Sequence, residues 1–176
     1  MAQVVRKFGA LLAKIWHAVT MLDRFDRVLL DAVQRDDSRT AESIAREVPL
    51  SPSAIARRLR RLRAEGWVAR TIALLSPRLT HTRLRAVVMV QLSEHADRPG
   101  KERLERRLRE ADEVQFVYEI AGPHDFVVLF DCANMAEFNE SAEALLASSP
   151  TVRRYETQFV KREVKFAPFV QVADTD

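Results

Sequence analysis

The chain has 176 residues, 47% of them hydrophobic and 30% charged, a balance that excludes wholesale disorder at a length too short for most large enzyme architectures. The net charge of +3 conceals a division: residues 1–75 hold 14 Lys and Arg against 8 Asp and Glu, a balance of +6, whereas residues 76–176 hold 14 against 17, a balance of −3. That segregation excludes an evenly mixed surface and sets a polyanion-facing N-terminal half beside a C-terminal half with another task.

In residues 1–21, Val4, Phe8, Leu11, Leu12, Ile15, Trp16 and Val19 recur at helical spacing with Arg6, Lys7 and Lys14 on other faces, which predicts an amphipathic helical extension. It could pack on its own domain, a partner subunit or an anionic membrane surface, or be an upstream extension of a chain that properly begins at Met21. Lys14 and His17 interrupt its apolar part and no small-residue cleavage site follows, so it does not read as a signal peptide. No run approaches the ~20 apolar residues of a membrane span. Cys132, the single cysteine, sits in the strand-like "VVLFDC" and reads as a buried thiol in a cytoplasmic protein.

Three short helices are expected next. Phe25, Leu29 and Val33 stripe a helix over residues 22–34, and "RDDSR" interrupts it. Thr40 caps a second helix that buries Ile44 and Val48 and stops at Pro49; Ser51 and Pro52 supply the cap and first position of a third that ends at Gly66. Two helices joined by a short turn, the second strongly basic, make a winged helix-turn-helix domain over residues 22–75, with "WVARTIALL" as a strand leading out. Residues 76–85 read as a linker. Residues 86–168 then alternate as strand 86–92, helix 100–111, strand 113–121, "GPHD" turn, strand 126–132, helix 135–149 and strand 151–166, before a tail at 169–176. That βαββαβ order predicts an α+β, ferredoxin-like domain whose uncovered sheet face favours dimerisation.

The third helix holds five arginines between Arg57 and Arg63. At about 100° per residue, Ile55, Leu59 and Leu62 share one side while Ser53, Arg57, Arg60 and Arg61 point outward. Arg58 flanks the apolar stripe, where an internal ion pair or cap to the first helix suits it better than DNA. An outward face with no carboxylate before Glu65 repels itself unless an anion covers it; the bland alternative is a merely solvated basic face. On the first reading Ser53, Ala54 and Arg57 approach base edges of double-stranded DNA, Arg60, Arg61 and Arg63 contact phosphate, and Ser51 belongs to the same surface.

These residues resemble the Lrp/AsnC (leucine-responsive/asparagine-responsive) transcription regulators. The resemblance runs through the LD-x-x-D opening (Leu22, Asp23, Asp26), "SIAREVPLSPSAIARRLRRLRAEGWV", and "VQFVYEIAGPHDFVVLF" with its G-x-x-D hairpin. It implies a homodimer through the C-terminal (RAM-type) sheets, assembly to tetramers or octamers, pseudo-palindromic DNA sites, and an amino acid or other small metabolite bound between C-terminal domains. On this chain the effector site would be Tyr118, Gly122, Pro123, His124 and Asp125; the alternative is a plain turn in which Gly122 and Pro123 satisfy geometry and Asp125 caps backbone. Ala121 stands where the family has threonine, Pro49 where it has the inter-helix glycine, and the linker glycine is absent.

Two other classes compete. A sirohaem-decarboxylase-like enzyme shares the fold, but His17, His81, His95 and His124 are scattered without metal spacing or a nucleophile–base set, so no catalytic residue, metal ligand or cofactor is expected. The other is an effector-binding assembly protein without DNA binding, against which Arg57 to Arg63 argue.

Overall fold

The computed structural model describes residues 22–94 and 97–172; the helix expected over residues 1–21 lies outside them. The chain divides into two compact units, one running to Ala73 and resuming at Ala167, the other Leu74–Phe166.

The first unit is built on α1 (Arg24–Arg35), α2 (Ala41–Ile44) and α3 (Pro52–Ala64). Asp23 caps α1 and exchanges bonds with Asp26: the Asp26 amide donates to Asp23 Oδ1 at 2.8 Å, and the Asp23 amide to Asp26 Oδ2 at 3.4 Å. Thr40 caps α2 as expected, but α2 is a single turn, because Pro49 lies too near for the helix to run on. Ser51 accepts from the Ala54 amide at 3.3 Å to start α3, with Pro52 at its first position. At its end Gly66 takes φ +79, so that the Gly66 and Trp67 amides donate back to the Arg63 and Leu62 carbonyls at 3.1 and 3.0 Å. Leu29, Leu30, Val33, Ile44, Val48, Ile55, Leu59 and Leu62 form the buried core. The helices thus present apolar stripes inward, as their 3.6-residue periodicity requires.

The strand expected at "WVARTIALL" does not form. Ile72, Leu74 and Leu75 are exposed in irregular chain, and this segment pairs with no described strand, without which strand propensity has no ladder to join. Within the expected linker a short helix, α4 (Pro77–Thr80), precedes β1 (Leu84–Leu92).

The second unit continues with α5 (Arg98–Glu110), β2 (Val114–Glu119), β3 (Phe126–Cys132), α6 (Met135–Ala142) with a π-turn over Glu143–Ala147, and β4 (Val152–Phe159). The antiparallel sheet has the order β2-β3-β1-β4, the ferredoxin-like arrangement. Ala86, Val88, Val90, Phe126, Val128 and Phe130 point to one face and pack with Leu104 and Leu108 of α5 and Phe138 and Ala142 of α6. Residues opposite one another share a face, so the register places Val87, Met89, Val127, Leu129, Phe116 and Tyr118 on the other side, which no described helix covers. β4 is shorter than the 151–166 expected; the Val160 amide makes its last bond, to the Arg85 carbonyl at 2.8 Å, and the chain then leaves the sheet.

Candidate functional site

The five arginines of α3 divide into two sets. Arg57 and Arg60 are exposed and form no ion pair with any described residue. Arg58 binds Asp23 at 2.6 Å and Asp26 at 2.8 Å, with its guanidinium 5.8 Å from the Phe25 ring centre. It therefore ties α3 to α1, the internal role expected for it. Arg61 binds the other oxygen of Asp26 at 2.5 Å, and Arg63 binds Asp37. Both were expected to contact phosphate; they remain about half exposed, 46% and 45%, but each already rests on a carboxylate. A helical wheel gives the direction in which a residue leaves its own helix, but not the carboxylates a neighbouring helix brings to it.

Asp26 is the centre of this arrangement. It is 2% exposed, yet each of its oxygens meets an arginine, so neither is left without a partner inside a small core. Burial pushes the neighbouring Asp23 carboxyl up, but bonds from the Asp26 amide and Arg58 outweigh it and hold the group below the ordinary aspartate value. Asp37 likewise gathers Arg63 and the Thr71 hydroxyl, the latter at 3.0 Å. Sequence reasoning missed Asp26 and Asp37 as arginine partners. The signal for Asp26 was the second acidic residue of LD-x-x-D, three positions after the cap; Asp37 carried none.

Near the start of α3, Ser53 is exposed with its hydroxyl 3.1 Å from that of Ser51, and Ala54 is half-buried. The exposed surface from the cap onward therefore offers Ser51, Ser53, Arg57 and Arg60, with paired Arg61 and Arg63 behind them. Small hydroxyls at a helix N-terminus followed by unpaired guanidiniums suit close approach to an anionic duplex.

The hairpin residues stay together, though not all are free. The Asp125 amide donates to the Val90 carbonyl at 2.9 Å, its carbonyl accepts from the Ile120 amide at 2.8 Å, and its Oδ2 accepts from the Leu92 amide at 2.8 Å. One carboxylate oxygen of Asp125 thus closes the end of the sheet. Gly122 has φ +150, a conformation that favours glycine, and a Cβ there would meet no atom within 4 Å. His124 is 15% exposed; its Nε2 has no hydrogen-bond partner among the described residues and lies 3.8 Å from Glu156 Oε1. Tyr118 is exposed on the open sheet face, stacked on Phe116 at 4.9 Å between ring centres.

On that same face lies a polar cluster the sequence did not suggest. Buried Asp131 accepts from Arg83, from Arg85 Nε at 2.8 Å and from Gln115 Nε2 at 3.0 Å, and Arg85 also reaches Glu163. Burial opposes its ionisation, but the two arginines hold the carboxyl below its usual range. Burial pushes the Cys132 thiol up, which suits a core residue. Among the described residues no three His, Cys, Asp or Glu are grouped to hold a metal ion, and no helix is long and apolar enough to cross a membrane.

A helix-turn-helix with an arginine-bearing third helix, joined to a ferredoxin-like unit with an open apolar sheet face, defines a two-part DNA-binding transcription regulator. Residues 22–63 match the AsnC-type helix-turn-helix domain, and residues 85–168 the Lrp/AsnC ligand binding domain. The chain is 33% identical to the uncharacterized HTH-type transcriptional regulator y4tD of Sinorhizobium fredii over 82% of its own length and 85% of that protein's. It is 27% identical to the DNA-binding transcriptional activator DecR of Escherichia coli, over 83% and 95%. A transcriptional regulator of Neisseria meningitidis solved as a complex with L-Met superposes with a TM-score of 0.75 at 27% identity, over 84% of this chain and 94% of that one. This chain belongs to the Lrp/AsnC family of helix-turn-helix transcription regulators.

Proposed function

We propose that the protein reads duplex DNA with α3, using Arg57, Ser53 and Ala54 at base edges and Arg60 on phosphate, with Ser51 at the same surface. The observation that carries this is the pairing pattern: Arg57 and Arg60 alone among the α3 arginines have no carboxylate among the described residues. Arg61 and Arg63 reach phosphate only by leaving Asp26 and Asp37, so they contribute less. A homodimer through the open sheet faces, assembling to tetramers or octamers, presents two copies of α3 to half-sites spaced by whole duplex turns.

Fluorescence-anisotropy titration with the protein's own upstream DNA tests the division. Arg57→Ala costs ~1–3 kcal/mol and relaxes preference at one base position, whereas Arg60→Ala weakens all sequences alike and lowers the salt slope by ~1. Equal losses for Arg57→Ala, Arg60→Ala, Arg61→Ala and Arg63→Ala on specific and random duplex defeat the assignment.

The same reading gives the Gly122–Asp125 hairpin, with Tyr118, an amino acid or related metabolite as effector. The Neisseria relative's complex with L-Met supports the class of ligand, and His124 Nε2, which has no hydrogen-bond partner among the described residues, supports a polar contact. Ala121 offers no hydroxyl, and Asp125 has one oxygen already engaged, which favours a ligand held chiefly by backbone and His124. Thermal-shift screening against the twenty amino acids tests it: ligand at ~100 times its Kd stabilises by ~2.7 kcal/mol, a shift of several degrees.

A further inference from the structure

The helix-turn-helix unit contains a second piece of chain. Residues 167–172 cluster with it, and Phe169, Val170 and Val172 meet Asp31, Gln34 and Arg35 in the last turns of α1. Gln34 meets the backbone of Val170 in both directions: the Val170 amide donates to Gln34 Oε1 at 3.0 Å, and Gln34 Nε2 donates to the Val170 carbonyl. Two residues on, the Val172 amide donates to Asp31 Oδ1 at 3.0 Å, the oxygen that also accepts from Gln34 Nε2 at 2.7 Å. The Arg35 guanidinium lies 4.4 Å from the Phe169 ring centre, and Val172 packs against the unit's core.

The chemistry on the two sides matches. A primary amide carries its donor and its acceptor on separate atoms side by side, as a peptide group does, so Gln34 can satisfy the N–H and C=O of one residue as a neighbouring strand would. Residues i and i+2 of an extended segment point their backbone groups the same way, and residues three apart on a helix lie on one face. Asp31 and Gln34 are so spaced, and they engage Val172 and Val170. Their face is turned away from the stripe of Asp26, Leu29, Leu30 and Val33 that α1 buries. The tail therefore braces the outer side of the helix whose inner side holds Arg58 and Arg61.

We propose that residues 167–172 are a strap belonging to the DNA-binding unit, captured by Asp31, Gln34 and Arg35, and that DNA affinity depends on it. The first half stands on geometry alone; the second rests on the DNA-binding reading above. The test compares the intact chain, a chain ending at Phe166, and full-length Gln34→Ala, which removes the two-way pair without shortening anything. Hydrogen exchange followed by mass spectrometry is expected to show amides of the last α1 turns opening about tenfold faster in both variants, with β1 and β3 unchanged. A synthetic peptide of residues 166–176 added to the shortened chain should slow them again. Both variants should bind the upstream duplex several-fold more weakly in anisotropy titrations. Unchanged α1 exchange in both variants overturns the strap. Faster exchange with unaltered DNA affinity overturns the dependence of binding on it. If the intact chain binds no duplex, the DNA reading is what has failed, and the exchange result still judges the strap.

Discussion

Asp26→Asn tests how the arginine helix is held. Asparagine keeps the shape of the side chain and one acceptor oxygen but removes the charge that Arg58 and Arg61 share at 2.8 and 2.5 Å. Breaking a fully buried pair costs ~3–5 kcal/mol. Here Asp26 is 2% exposed, but the two arginine side chains keep 24% and 46% of their exposure, and Asp23 still holds Arg58 at 2.6 Å. Water therefore screens part of the loss, which brings the expected destabilisation to about 2 kcal/mol. For a unit of this size that lowers the melting temperature by roughly 10 °C. Thermal unfolding followed by Trp67 fluorescence in a Trp16→Phe background measures it, because Trp67 packs against the core of the first unit. A second consequence has the opposite sign. With Arg61 released from its carboxylate, the salt slope of DNA binding should steepen by about one unit at temperatures where the variant stays folded. Combining Asp26→Asn with Arg61→Ala should remove that steepening. A variant that melts within a degree or two of the parent and binds with an unchanged salt slope refutes the clamp.

Asp131 is held below the ordinary value of 3.8 by Arg83 and Arg85, so the folded state favours its ionised form; the stability this gives is complete above pH 3.8 and is lost as pH falls from there through the folded value. Denaturant unfolding of the second unit across that window should lose stability more steeply in the parent than in Asp131→Asn, and parallel curves would contradict the assignment. Gly66→Ala should cost about 1 kcal/mol through its φ of +79 rather than through crowding, since a Cβ there meets no atom within 4 Å; Gly66→Asn should recover part of the loss in the same melting assay.

Legibility followed the range of the interactions. Ser51, Pro52 and Gly66 marked the ends of α3, and Ile55, Leu59 and Leu62 its buried side, because caps and helical periodicity involve only neighbours along the chain. The βαββαβ order was legible for the same reason, from short apolar runs at 86–92 and 126–132 set between helical patterns; both runs are apolar on either side, so only the sheet register shows which side chains face the helices. Arg58 was assigned inward from its angle on the wheel, and it points there. Arg61 and Arg63 were not, because their partners Asp26 and Asp37 stand 35 and 26 positions away, and no local pattern announces a contact across that gap. The strand expected at residues 67–75 shows the converse. Its β-branched and apolar residues describe a segment suited to a sheet, but propensity supplies no pairing edge.

The sequence by itself determined the order of most helices and strands, which side of each main helix is apolar, and that the positive charge gathers on one helix. Only the tertiary structure decided which of those charges remain free, that one oxygen of Asp125 closes the sheet, and that residues 167–172 return to α1. The reason is that hydrophobic patterning acts between residues three or four apart, whereas neutralising a charge depends on whatever carboxylate folding brings within a few ångströms, however distant along the chain.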